Sequence, residues 1–173
     1  PAFVLLLCLE VFVCYVSALM IDMLGAKTRR ALVATWTCVG FCLALLILFK
    51  YTGFFLSNVQ LITGLPEIIP AITLPIGISF YIFQSMSYVI DVYRGEVASQ
   101  KNILNLGLYL SLFPQLIAGP IVRYVDVARE LEHRTHSFTM AGEGARRFIL
   151  GLSKKVLIAN SMYDLSELIY AAD

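Results

Sequence analysis

The chain has 173 residues, 59% of them hydrophobic and 14% charged, with a mean hydropathy of +0.80. Soluble domains carry about 25% charge, so this chain has too few charges to cover a water-facing surface, and lipid is its expected solvent. A formal net charge of +1 excludes the strongly basic balance of a nucleic-acid-binding protein.

In chain order, Ala2 to Leu24 is the first predicted membrane span, with Glu10 and Asp22 its only charges. Glu10 sits inside the apolar run. There an ionisable group is costly unless it faces protein or water, or stands near an interface. Gly25 to Arg30 is a short polar link carrying Lys27, Arg29 and Arg30, and Ala31 to Phe49 is a second, uncharged span closed by Lys50 and Tyr51. The positive-inside rule puts the link in the cytoplasm. Thr52 to Pro70 then reads as an external loop, punctuated by Gly53, Gly64, Pro66 and Pro70. Ile72 to Tyr93 is a third span running inward, its first turn disturbed by Pro75 and Gly77. Leu104 to Val122 is apolar but interrupted by Pro114, Gly119 and Pro120. Glu143 to Ala172 reads as an interfacial amphipathic helix, with Phe148, Ile149, Leu152, Val156, Ala159 and Tyr163 at helical spacing and Lys154 and Lys155 on the other side. The expected fold is an all-α, polytopic transmembrane bundle, with residues 1–173 forming part of one domain. Pro1 follows no basic n-region or cleavage site, and Ala171-Ala172-Asp173 carries no helix stop. The chain therefore reads as a fragment without a signal peptide.

Charge placement makes the fourth apolar segment unusual. Arg94 and Lys101 precede Leu104 to Val122, and Arg123, Arg129, Arg134, Arg146 and Arg147 follow it. Both flanks favour the cytoplasm. A full crossing would send one of them outside, whereas a re-entrant hairpin keeps both inside. Proline and glycine favour the break, and broken backbone at membrane depth needs protein or a water-filled cavity beside it. An ordinary kinked span is the alternative.

The third span carries Gln84, Ser87, Asp91 and Arg94 at spacings of three, four and three, with Tyr88 alongside. This is one helical stripe, and Asp91 and Arg94 are spaced to pair. Such a stripe faces the bundle, either lining a passage for substrate or bonding helix to helix. Within Phe113 to Arg123, Gln115 can bond freed backbone groups or a substrate, and Arg123 can bind a phosphate or carboxylate or serve as a positive-inside anchor. Cys8, Cys14, Cys38 and Cys42 lie in apolar runs, and the shared face of Cys38 and Cys42, with no His or carboxylate recognised as a further ligand, reads as packing and not as a metal site. His133 and His136 lie in a charged loop and read as solvated surface before catalytic bases. Gly151-Leu152-Ser153-Lys154-Lys155 lacks the phosphate-loop frame, and no Gly-x-Ser-x-Gly elbow occurs.

Three blocks carry a family resemblance. Leu74-Pro75-Ile76-Gly77-Ile78-Ser79-Phe80-Tyr81-Ile82-Phe83-Gln84, continuing through Ser87 to Gly95, is the first. Phe113 to Arg123 is the second and Gly151 to Asn160 the third. In order and spacing they resemble the membrane-bound O-acyltransferases, in particular the alginate O-acetylase branch. The resemblance implies transfer of an acyl group, here acetyl, from a cytoplasmic thioester such as acetyl-CoA toward an exported polysaccharide. It further implies a bacterial inner-membrane location, contact with lipid and periplasmic glycan-modifying proteins, and no tightly held cofactor. The family's key histidine lies in a later apolar region that this sequence does not contain. No catalytic residue is therefore assigned here, and Gln84, Ser87, Tyr88, Asp91, Arg94, Gln115 and Arg123 are substrate-passage candidates. A transporter or channel subunit is the competing class, though it would call for an inverted repeat, which the sequence does not display.

Overall fold

The computed structural model describes residues 2–63, 74–116, 119, 122–132 and 137–171. Among these residues all regular structure is helical, and the chain divides into two compact units, residues 1–132 and 133–173.

The first unit is built on three mutually packed helices. α1 (Ala2–Leu24) ends where Gly25 and Lys27 take left-handed backbone conformations. Thr28 caps the next helix by accepting from the Ala31 amide at 3.2 Å. α2 (Arg29–Leu46) packs on α1 through Ala31, Thr35, Cys38 and Cys42, which meet Cys14 and Ala18. Small side chains at this seam let the backbones approach closely. α4 (Ile78–Arg94) lies against both. The stretches Phe3–Leu24 and Arg29–Thr63 are each long and apolar enough to cross a membrane. Their outer faces carry Leu5, Met23, Val33 and Trp36, each more than half exposed. Apolar surface of that extent marks a face that lipid or other protein covers.

Two helix boundaries differ from the sequence expectation. Thr52 to Thr63 does not form a loop. α2 runs on through a π-helical turn, Ile47–Tyr51, into α3 (Thr52–Thr63). Gly53 costs a helix only about 1 kcal/mol, and Phe54, Phe55, Leu56, Val59, Leu61 and Ile62 continue the apolar run. α4 begins at Ile78, not Ile72, because Gly77 holds a positive φ of 75° that no helix propagates through. Residues 64–73 lie outside the described set.

α5 (Ile103–Ser111) follows a loop and is capped by Asn102, which accepts from the Leu104 amide at 2.9 Å. It stops at Leu112, whose backbone is extended, one residue before the helical turn α6 (Phe113–Leu116). α7 (Tyr124–Glu132) returns to pack on α4 and α5. The second unit is a continuous helix. α8 (Phe138–Lys154) passes through a π-helical turn, Lys155–Ala159, into α9 (Asn160–Tyr170), with Ser137 as its N-cap. None of its described residues is buried. Residues 133–136, including His133 and His136, lie outside the described set.

Candidate functional site

Four of the seven passage candidates meet in two pairs that tie the segment after Asn102 to α4. Gln84 and Gln115, 31 residues apart, share a hydrogen bond of 2.7 Å from the Gln84 amide to the Gln115 carbonyl, and both are buried. About one helical turn pair further along α4, Asp91 accepts from Arg123 through both carboxylate oxygens, with the Nε contact at 3.2 Å. Arg123 also bonds Glu96. The two carboxylates push the already high guanidinium pKa higher still, hydrogen bonding from Asp91 first. Bidentate Arg–carboxylate geometry fixes orientation as well as charge.

The expected Asp91–Arg94 pair does not form. Asp91 points into the bundle, with its side chain 3% exposed, whereas Arg94 projects outward to Glu96 at 3.9 Å. The local i, i+3 spacing lost to a tertiary partner that offers two parallel bonds. Ser87 is half-buried and donates to the Gln84 backbone carbonyl at 3.2 Å. Tyr88 is buried, and its hydroxyl accepts from the Gln100 amide at 2.9 Å.

Around Tyr88 stands a group that the sequence analysis did not single out. The Tyr88 and Tyr124 rings meet edge to face at 4.8 Å, and Tyr124 and Tyr109 at 5.2 Å. Gln100 donates to the Tyr124 hydroxyl at 2.8 Å, and the Tyr109 hydroxyl donates to the Val122 carbonyl at 2.7 Å. The three tyrosines come from three separate elements, so no sequence spacing announces them. Their only signal is an aromatic with a polar tip inside or beside an apolar run.

These contacts define a path. At its start the segment lies by the C-terminal half of α4, where Tyr109 joins the tyrosine group. By Leu116 it has reached the opposite end of α4, with the Leu116 carbonyl against Gly77, and by Arg123 and Tyr124 it is back beside Asp91 and Tyr88. A recess of about 210 Å³ lies near the far end, lined by Phe3, Val4, Leu7, Pro75, Ile76, Tyr81 and Leu116.

The basic residues gather at the near end. The Lys27 amide donates to the Tyr93 carbonyl at 3.2 Å, placing the α1–α2 link beside the end of α4. Lys101 pairs with Asp22 at 2.6 Å, and Ser99 bonds the same carboxylate. Glu10, which the sequence left between interior and interface, is fully buried, as are Tyr81, Ser85 and the Cys14, Cys38 and Cys42 thiols.

No family model and no solved structure matches the chain. Curated proteins do match. The probable alginate O-acetylase of Azotobacter vinelandii is 38% identical over 163 residues, spanning 91% of this chain and 32% of that protein. The protein of the same name from Pseudomonas aeruginosa is 39% identical over 163 residues, 91% of this chain and 31% of its own length. The peptidoglycan O-acetyltransferase of Helicobacter pylori is 30% identical over 155 residues, 73% of this chain and 29% of its own length. The chain thus spans about a third of the length of the curated relatives it matches. The agreement extends over nearly the whole chain, and its named relatives are those the three sequence blocks pointed to: the chain belongs to the membrane-bound O-acyltransferase family, in its alginate O-acetylase branch.

Proposed function

We propose that residues 1–173 contribute one wall of a transmembrane O-acetyltransferase domain in the bacterial inner membrane. The full-length protein would take acetyl from a cytoplasmic thioester, acetyl-CoA or a similar donor, and pass it toward an exported polysaccharide such as alginate. The relatives' names supply the chemistry. The observation that carries the structural part is that the described residues between Ile103 and Tyr124 reach Gly77 at Leu116 and stand again beside Asp91 at Arg123, fastened at Gln84–Gln115 and at Asp91–Arg123.

That path supports a polytopic bundle in which the segment enters and leaves on one side, with the interfacial helix following it. Such a hairpin keeps Lys101 and Arg129 both on the basic face. A charged thioester donor cannot cross hydrocarbon, so its acyl end must meet the acceptor along a protein-lined corridor. In this reading the paired side chains hold the corridor wall in place, and the wall brings polar backbone to membrane depth. A histidine elsewhere in the full-length protein would serve as base. Glycan-modifying proteins on the far side are the proposed recipients.

Two measurements test the reading. Lys101→Cys and Arg129→Cys are expected to react with an impermeant maleimide from the same side of sealed vesicles; labelling from opposite sides would exclude the hairpin. In membranes carrying the full-length protein and labelled acetyl-CoA, Gln84→Ala, Asp91→Ala and Arg123→Ala should each lower acetyl transfer while leaving insertion intact. Full activity in all three would remove these residues from the function.

A further inference from the structure

Two helix-spaced pairs face one another across the α1–α2 hairpin. On α1 they are Glu10 and Cys14, and on α2 Cys38 and Cys42. Residues four apart share a helical face. The helices are joined by the short Gly25–Thr28 link, which sets Cys14 level with Cys38 and Glu10 level with Cys42. All four side chains are at most 1% exposed. The Cys14 and Cys38 sulfurs are 3.7 Å apart, and the three sulfurs lie within 4.8 Å of one another.

Close packing alone explains three buried thiols, which behave as small hydrophobes. It does not explain Glu10. Neither carboxylate oxygen has a hydrogen-bond partner, and the nearby Ser85 hydroxyl has none either. The carboxylate interacts electrostatically with the Cys38 and Cys42 thiols. Ser85 bears on the carboxylate without closing a hydrogen bond to it, so this buried group has unfilled capacity for a ligand.

We propose that Cys14, Cys38 and Cys42 form a binding site for a thiophilic divalent cation of the Zn²⁺ class, with Glu10, one turn along α1 from Cys14 and outside the three-sulfur group, as the carboxylate that turns in to complete the shell. The three sulfurs supply three of the four ligands such an ion takes, and a carboxylate is a suitable fourth. Zn–S bonds of about 2.3 Å at the tetrahedral angle separate ligand sulfurs by roughly 3.8 Å, close to the 3.7 Å between Cys14 and Cys38. Each thiol that binds releases its proton to solvent. Sequence spacing groups Cys38 with Cys42 alone, because Cys14 is 24 residues from Cys38. The ion would cross-link α1 to α2 behind the wall formed by α4, and the proposal stands independently of acyl transfer.

The test is titration of the purified full-length protein with Co²⁺ as a spectroscopic probe, followed by displacement with Zn²⁺. Wild type should develop a thiolate-to-cobalt charge-transfer band and the intense visible bands of a tetrahedral centre, bleached by Zn²⁺. Cys14→Ala and Cys38→Ala should lose the charge-transfer band, and Glu10→Gln should weaken affinity by about tenfold or more. Cys8→Ala should change nothing, since Cys8 is exposed and outside the cluster. Wild-type protein without a thiolate-to-cobalt band overturns the proposal, as does a band that survives in the Cys14→Ala/Cys38→Ala double variant.

Discussion

Gly77→Ala is expected to dislodge the turn α6 from the start of α4 and to abolish most of the acetyl transfer proposed for the full-length protein. Two costs combine at this position. Gly77 has a φ of 75°, and a β-carbon there would stand 2.2 Å from the Leu116 backbone carbonyl oxygen. The left-handed conformation alone costs an L-residue about 1–2 kcal/mol. The clash is with main chain and not with the end of a side chain, so Leu116 must move. Gln115 moves with it, and its 2.7 Å bond to Gln84 is lost inside the bundle. Stranding a buried amide adds roughly 1–3 kcal/mol. Gly95 provides the control. Its φ is 72°, yet the nearest atom to an added β-carbon is Ala26 Cβ at 3.7 Å. Gly95→Ala should therefore incur only the backbone cost. The comparison is read from thermal inactivation in detergent and from labelling of Leu116→Cys. Equal losses in the two alanine variants would show that Leu116 does not press on Gly77.

Removing Arg123 should do more damage than removing its partner. Asp91 is the buried member of the pair, at 3% side-chain exposure against 45% for Arg123. Arg123→Ala leaves a carboxylate inside the protein without the counter-charge that holds it there, a destabilising change. Asp91→Asn leaves Arg123 near solvent with Glu96 still beside it, so its cost should be small. The double variant Asp91→Asn/Arg123→Ala should recover most of the stability lost by Arg123→Ala, a coupling that unfolding midpoints of the four proteins measure directly. A double variant no more stable than Arg123→Ala alone would mean that Arg123 acts through something other than Asp91.

Much of this arrangement was legible in advance, for a physical reason. The bounds of α1 follow from an apolar run ending at Gly25. Gln84, Asp91, Gln115 and Arg123 stood out because a bilayer makes polar side chains expensive, so each one present has a purpose. Their pairing was not legible. Gln84 and Gln115 are 31 residues apart, and helical spacing speaks only to neighbours on one helix. The same blindness hid the tyrosine group and the approach of Cys14 to Cys38. The error at Thr52 to Thr63 had another origin. Gly53, Gly64, Pro66 and Pro70 read as loop signals, although an apolar surrounding favours the internally bonded helix over any open backbone.

The π-helical turn at Ile47–Tyr51 has a geometric consequence for what lies beyond it. A π-turn accommodates one surplus residue, and each residue advances an α-helix by about 100°. A stripe counted at α-helical spacing from α2 therefore falls one residue out of register in α3. Phe54, Phe55, Val59, Leu61 and Ile62 remain uncovered along that distal arm. Excising one residue between Ile47 and Tyr51 would let the rod run as unbroken α-helix and leave the faces of the arm about where they are, since the π-turn already takes up the surplus.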